Sequence, residues 1–329
     1  MNLKYSKVIS SIVLLLLIII SLLIGRYHIK PIDIINTMLH GQSDSLEFNL
    51  IWNIRFSRVV LVSISGAALS LSGIVYQSIF QNPIVSADVL GVSSGASLGA
   101  AIAIVFLPFS PIIIQVMAFA FGIGAVIFSL LLSRQMRSNR ILALIIAGIV
   151  TGAISSSFLM IIKYLADPYK ELPSIDFWLM GGFYNSRWNN VVYVFILTTI
   201  SAVILFLLRW KLKVLTMGDD QAKLLGVNVK VIRIIAIFSA TLLVSTVVSV
   251  AGIISWIGLL APHIVKFYAK DDISEVMGLT MLVGAIILII ADTIARSLTS
   301  VEIPVSILTS LVGAPFLVYI LNRKENTIR

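Results

Sequence analysis

The sequence predicts an all-α, polytopic membrane protein of about ten transmembrane helices, and three observations carry that prediction. Hydrophobic residues make up 59% of the 329-residue chain, charged residues 12%, and the mean hydropathy is +1.05; a soluble domain carries about a quarter of its residues charged. The apolar runs approach the roughly 20 residues a helix needs to cross a hydrocarbon core about 30 Å thick. They are continuous, unlike the alternating segments of about ten residues that mark a barrel.

The first apolar run, Val8 to Ile24, follows Lys4 and Lys7 as the core of a signal peptide would. It continues into Gly25-Arg26-Tyr27-His28 without a small-residue cleavage site, so it reads as a retained span. The remaining runs place spans at approximately 58–79, 92–108, 111–133, 141–163, 190–209, 232–252, 254–269, 275–296 and 304–322, after a first span at 8–25, in one transmembrane domain over 1–329. Two outer segments, 26–57 and 164–189, are long enough to carry a short helix on the membrane, and the larger inner segment is 210–231. With both termini inside, sixteen of the 24 Lys and Arg residues fall on cytoplasmic segments, as the positive-inside rule asks. All five tryptophans (Trp52, Trp178, Trp188, Trp210, Trp256) lie near span ends, where amphipathic rings meet headgroups.

The net charge of +9 is accounted for by those loops, so nucleic acid is not expected as a partner. The absence of cysteine excludes disulfides, thiolate catalysis and Cys-ligated metals. Gly73-Ile74-Val75 precedes Pro83 as Gly252-Ile253-Ile254 precedes Pro262, an internal echo that leaves an inverted repeat open. Gly91, Gly95 and Gly99 recur every four residues, as do Gly148 and Gly152, and each set is expected to line a face where a neighbouring backbone approaches closely. On the fifth span Thr151, Ser155 and Ser156 are candidates for a translocation path; the alternative is that such hydroxyls bond back to their own helix carbonyls.

Catalytic parts are missing from the sequence. His28, His40 and His263 have no metal-binding spacing, and no Gly-Lys dipeptide occurs, so there is no Walker-type phosphate loop. No cofactor is expected on this chain, and ATP-driven transport would need Mg-ATP in a separate subunit. Ion-coupled carriers place ionisable groups at mid-membrane depth. Asp292 is the clear candidate, and Arg296 four residues later offers it a partner on the same helix face. In the inner segment, Asp219 and Asp220 can cap a short helix and complement its dipole, with Gly226 terminating it. That helix is either a solvated connector or a docking element presenting Ala222, Leu224 and Leu225.

These residues together resemble a known family. Arg55-Phe56-Ser57-Arg58, Gly66-Ala67-Ala68-Leu69, Ser72-Gly73, Gln77, Asn82-Pro83 and Leu90-Gly91-Val92-Ser93-Ser94-Gly95-Ala96 are similar to the opening signature of the FecCD permeases of iron-siderophore, cobalamin and haem importers. Later motifs follow in order: Trp178-Leu179-Met180-Gly181-Gly182, Gly218-Asp219-Asp220 to Leu225-Gly226-Val227, Gly258-Leu259-Leu260 with Pro262-His263, Ala291-Asp292 with Arg296, Glu302-Ile303-Pro304 and Gly313-Ala314-Pro315-Phe316. The resemblance covers roughly residues 50–322. Ile84-Val85 replaces the usual Leu-Ala, and Val305 stands where Gly is common after Pro304.

The resemblance implies the type II ATP-binding-cassette (ABC) importer permease architecture in a bacterial cytoplasmic membrane. The subunit would pair with a second copy or a paralogue, with two cytoplasmic ATPase subunits and with an external substrate-binding protein. It further implies ATPase coupling through Asp219, Asp220, Ala222, Leu224, Leu225 and Gly226, binding-protein docking through Arg55, Arg58 and Arg296, and an iron(III)-siderophore-type cargo. Cobalamin or haem is the alternative cargo. A secondary carrier or a membrane scaffold is the alternative class, and reconstitution separates them: an importer needs ATP and an ATPase, a carrier only a gradient, and a scaffold moves nothing.

Overall fold

The computed structural model describes residues 3–25, 46–136, 139–269, 272–299 and 301–328. Residues 26–45 of the outer segment, with His28 and His40, lie outside the described residues, as do Arg137, Lys270 and Arg329. The described chain is all helical: α1 (Leu3–Leu23), α2 (Ser57–Ile79), α3 (Val92–Phe106), α4 (Pro111–Gln135), α5 (Arg140–Leu165), α6 (Glu171–Met180), α7 (Trp188–Leu207), α8 (Arg209–Leu215), α9 (Asp219–Leu224), α10 (Val229–Ala251), α11 (Ile257–Tyr268), α12 (Ile273–Ser297) and α13 (Val305–Ile328). Among these, seven helices are long and apolar enough to cross a membrane, and three shorter apolar ones (Val92–Phe106, Ile257–Tyr268, Val305–Val318) accompany them.

Two helices form the centre. The most apolar stretch of the helix ending at Ile79 is 78% buried and that of α10 is 72% buried, against 17% for α1. Burial on all sides demands small side chains, because lipid offers no hydrophobic drive and helices gain by close contact. Accordingly α2 buries Ser65, Gly66, Ala68, Ser70, Ser72 and Gly73, and α10 buries Ala236, Ser239, Ala240, Thr241 and Ser245. Ser72 and Ser78 donate to carbonyls of their own helix, and Tyr76 Oη meets Thr241 Oγ1 at 2.7 Å, which joins the two central helices.

The glycines show where backbones touch. A Cβ on Gly73 would lie 1.7 Å from the Gly258 carbonyl oxygen, which fixes the α2/α11 crossing, and one on Gly66 would lie 2.5 Å from the Gly284 oxygen of α12. Gly95 and Gly99 press α3 onto α4, against the carbonyls of Phe121 and Met117. Gly91 is not on that helical face: it precedes α3 with φ of 78°, a left-handed conformation that suits glycine. Gly148 meets the Val89 carbonyl, while Gly152 has only an ordinary contact with Ser94.

The echo of Gly73 to Pro83 and Gly252 to Pro262 does not mark equivalent positions. Gly73 lies inside α2 with Pro83 in the following connection, whereas Gly252 follows α10 and Pro262 is inside α11. The similarity lies in the elements themselves, each central helix being followed by a short one, α3 or α11.

Candidate functional site

Function in a helical bundle of this kind concentrates at its ends and along its exposed helix faces. At one end, Lys213 of α8 pairs with Asp272, the residue before α12, at 2.5 Å and thereby anchors the segment that presents α9. Helix α9 starts after Gly218. Asp219 and Asp220 sit in its first turn, where they complement the dipole, but neither caps it by a side-chain bond. Asp219 instead turns to Arg233 of α10, whose Nη2 and Nη1 donate to its two carboxylate oxygens at 2.6 and 3.1 Å. That paired hydrogen bond holds the Asp219 carboxyl below its ordinary pKa. Asp220 is exposed and pairs with Lys223, at 2.9 Å.

The three apolar residues expected to serve docking divide. Ala222 is fully buried and belongs to the anchor of α9, which corrects its grouping with the leucines; Leu224 is 88% exposed and Leu225 53%. Gly226, at φ of 75°, ends the helix as expected, with its N–H on the Lys223 carbonyl and that of Val227 on the Ala222 carbonyl. The result is a short rigid knob that shows two leucines.

At the opposite end the three arginines are buried, between 6% and 7% exposed. Arg58 grips Asp292 as a fork, Nη2 to Oδ1 at 2.8 Å and Nε to Oδ2 at 3.1 Å, and sends Nη1 to Glu302 at 2.9 Å. Arg296 lies 3.8 Å from the same carboxylate and donates to the Ile24 carbonyl at 2.7 Å and to the Ser21 carbonyl and hydroxyl. Arg55 donates to the Leu22 carbonyl at 2.9 Å. The last turn of a helix leaves carbonyls without partners, and two arginines take those of α1 while matching its dipole. The reading of three free docking forks does not describe this arrangement: each guanidinium is committed inside the subunit, tying α1, α2 and α12 together. Sequence spacing showed the Asp292–Arg296 pair but not Arg58, the stronger partner, because 234 residues separate it from Asp292.

On α5, Thr151 is buried, donating to the Ala147 carbonyl and accepting from Ser129 of α4, and Ser155 is buried as well. Ser156 is partly exposed. The open face of α5 carries Ile154, Ser157, Phe158 and Ile161 instead, with Ser157 bonded back to the Ala153 carbonyl. The path candidate Thr151 therefore holds α5 to α4 of its own subunit, and Ser155 shares that buried face, opposite the exposed one.

The comparisons with known proteins agree with this geometry. The model of the FecCD transport family matches residues 13–323. The molybdate import system permease protein MolB of Haemophilus influenzae is 36% identical over 97% of each chain, and the Fe(3+)-citrate import system permease protein YfmE of Bacillus subtilis is 36% identical over 94% of this chain and 92% of its own. A solved structure described as an inward-facing conformation of a metal-chelate type ABC transporter superimposes with a TM-score of 0.88 at 34% identity, covering 96% of this chain and 98% of that one. A multi-pass helical bundle that presents an anchored, leucine-tipped helix at one end and matches this family along nearly its whole length is a permease of an ABC importer, and the chain belongs to the FecCD transport family.

Proposed function

We propose that this chain forms, with a second copy or a paralogue, the pathway by which an iron(III)-siderophore-type chelate enters the cytoplasm through a bacterial inner membrane, both termini facing inward. A separate ATPase dimer, loaded with Mg-ATP, supplies the energy, and α9 is its docking element. The observation that carries this reading is the pair of exposed leucines, Leu224 and Leu225, on a helix otherwise pinned by Ala222 and by Asp219–Arg233. Exposed apolar side chains on a rigid support in water are what a partner's groove buries. The external binding protein meets the opposite end, where Arg55, Arg58 and Arg296 act from beneath the surface by keeping the ends of α1, α2 and α12 in register.

Cargo choice rests on the relatives. Besides the iron-citrate permease, a probable iron chelatin permease of Helicobacter pylori is 35% identical over 89% of this chain. A second reading, molybdate, is favoured by the Haemophilus relative at 36% identity over 97%.

The test is reconstitution in proteoliposomes with the cognate ATPase and binding protein. ATP-dependent accumulation of a radiolabelled ferric siderophore, absent without the ATPase, is the expected result. Uptake of molybdate in its place would move the cargo to the second reading, and uptake driven by an ion gradient without ATP would overturn the ABC mechanism.

A further inference from the structure

A cavity of about 360 Å³ opens at the α9 end of the subunit, between the C-terminus of α4 and the N-termini of α5 and α10. Its lining combines four cations, Arg134, Arg140, Lys230 and Arg233, with an apolar wall that includes Leu144 and Ile237. Arg134, Arg140 and Lys230 are exposed. Among the described residues no acidic side chain forms an ion pair with any of these three. Arg233 is 2% exposed; two of its nitrogens hold Asp219, and its Nε has no hydrogen-bond partner. Arg233 lines the cavity, so an anion there would offset the cost of keeping its guanidinium charge out of water.

Two long helices, α5 and α10, also begin here, so the positive ends of their dipoles add to the four cations. Among the described residues no carboxylate stands in the lining. Planar guanidinium forks suit the oxygens of a tetrahedral anion, and an apolar wall beneath a basic rim suits an anion that carries a hydrocarbon tail.

We propose that this cavity is a binding site for a phosphate-type group, supplied either by the headgroup of an anionic phospholipid in the adjoining leaflet or by a free inorganic oxyanion. Its occupancy is felt at the docking helix, because Arg233 joins the cavity to Asp219 at the start of α9.

The test uses the full chain in nanodiscs. In the lipid arm, retention of phosphatidylglycerol against phosphatidylcholine is read by native mass spectrometry. In the free-anion arm, phosphatidylcholine discs are titrated with inorganic phosphate and the melting temperature is followed. The variant R134Q/R140Q/K230Q is compared with K7Q/R209Q/K211Q, which removes the same charge elsewhere. Each cation removed from the cavity is expected to weaken binding about fivefold, and the control set to change it little. Selective loss in the lipid arm assigns the site to a headgroup, and selective loss in the free-anion arm assigns it to an inorganic ion. Equal losses in the two variant sets, or no loss in either arm, would overturn the proposal. If the triple variant does not fold, R140Q and K230Q taken singly carry the same comparison.

Discussion

The two ends of this subunit use charge in opposite ways. Around Asp292 four charged groups, Arg58, Arg296, Asp292 and Glu302, are gathered into one cluster, three of them buried, and beside it Arg55 and Arg296 close the last turn of α1. At α9 the fork between Asp219 and Arg233 and the buried Ala222 hold a helix of six residues whose remaining charges face outward with Leu224 and with Leu225, the residue that follows it. The first end pairs its buried charges within one chain, with Arg296 Nε, 3.8 Å from Asp292, left without a hydrogen bond, while the second keeps two leucines exposed. Burial decides the difference: a charge taken out of water must be paired, whereas an exposed leucine costs little until an interface forms around it.

The sharpest way to break the contrast is Asp292→Ala, which leaves Arg58 buried without its main partner. A loss of roughly 3–5 kcal/mol is expected, read as a large drop in melting temperature of the purified subunit. A drop no larger than that of a surface substitution would show that the cluster is solvated after all. The same contrast predicts that L224D/L225D leaves the melting temperature of the isolated subunit unchanged and weakens association with the ATPase by about 2 kcal/mol or more. Co-purification at wild-type affinity would remove α9 from the interface.

Gly148→Ala sharpens the comparison between interior and open faces of α5. Its Cβ would come within 1.8 Å of the Val89 carbonyl, so overpacking of roughly 1–3 kcal/mol is expected. Gly152→Ala, with Ser94 Oγ at 3.7 Å, is expected to be neutral or slightly stabilising, because alanine favours the helix. Equal melting temperatures for the two variants would contradict the packing described.

The smallest effect concerns pH. The Asp219 carboxyl is held below its ordinary value mainly by the hydrogen bond from Arg233. A depressed carboxylate pKa contributes stability that is complete above the ordinary value, near 4, and is lost as pH falls through the lower, folded value. The melting-temperature advantage of wild type over Asp219→Asn is therefore expected to be level from neutral pH down to about 5 and to shrink below about 4. An advantage that grew on acidification would reverse the assignment.

Much of the fold is legible in the chain because the bilayer imposes a local rule: a run of apolar residues long enough to span must satisfy its own backbone, and only a helix does so. Tight glycines at Gly95, Gly99 and Gly148 were legible for a similar reason, since a four-residue repeat places them on one face before any neighbour is known. Gly91 also meets a neighbouring backbone, an added Cβ lying 3.2 Å from Gly152 N, but it stands before the helix, and the same spacing cannot tell that position from the first turn inside it. The hydroxyls of α5 show the limit again. Thr151 and Ser155 read as polar positions, and only the placement of α4, with Ser129 against Thr151, decided that they face inward.

What the sequence by itself determined was the kind of molecule and the family, through composition and ordered motifs, and the short charged helix at 219–224 with its glycine stop. What only the tertiary structure decided was who partners whom. Arg58 reaches Asp292 and Glu302, Arg55 and Arg296 reach the end of α1, and Ala222 turns in while Leu224 and Leu225 turn out. The physical reason is range. Hydropathy, helix period and turn chemistry act within about one or two turns of chain, but a buried charge is satisfied by whatever the packing brings to it, here from more than two hundred residues away.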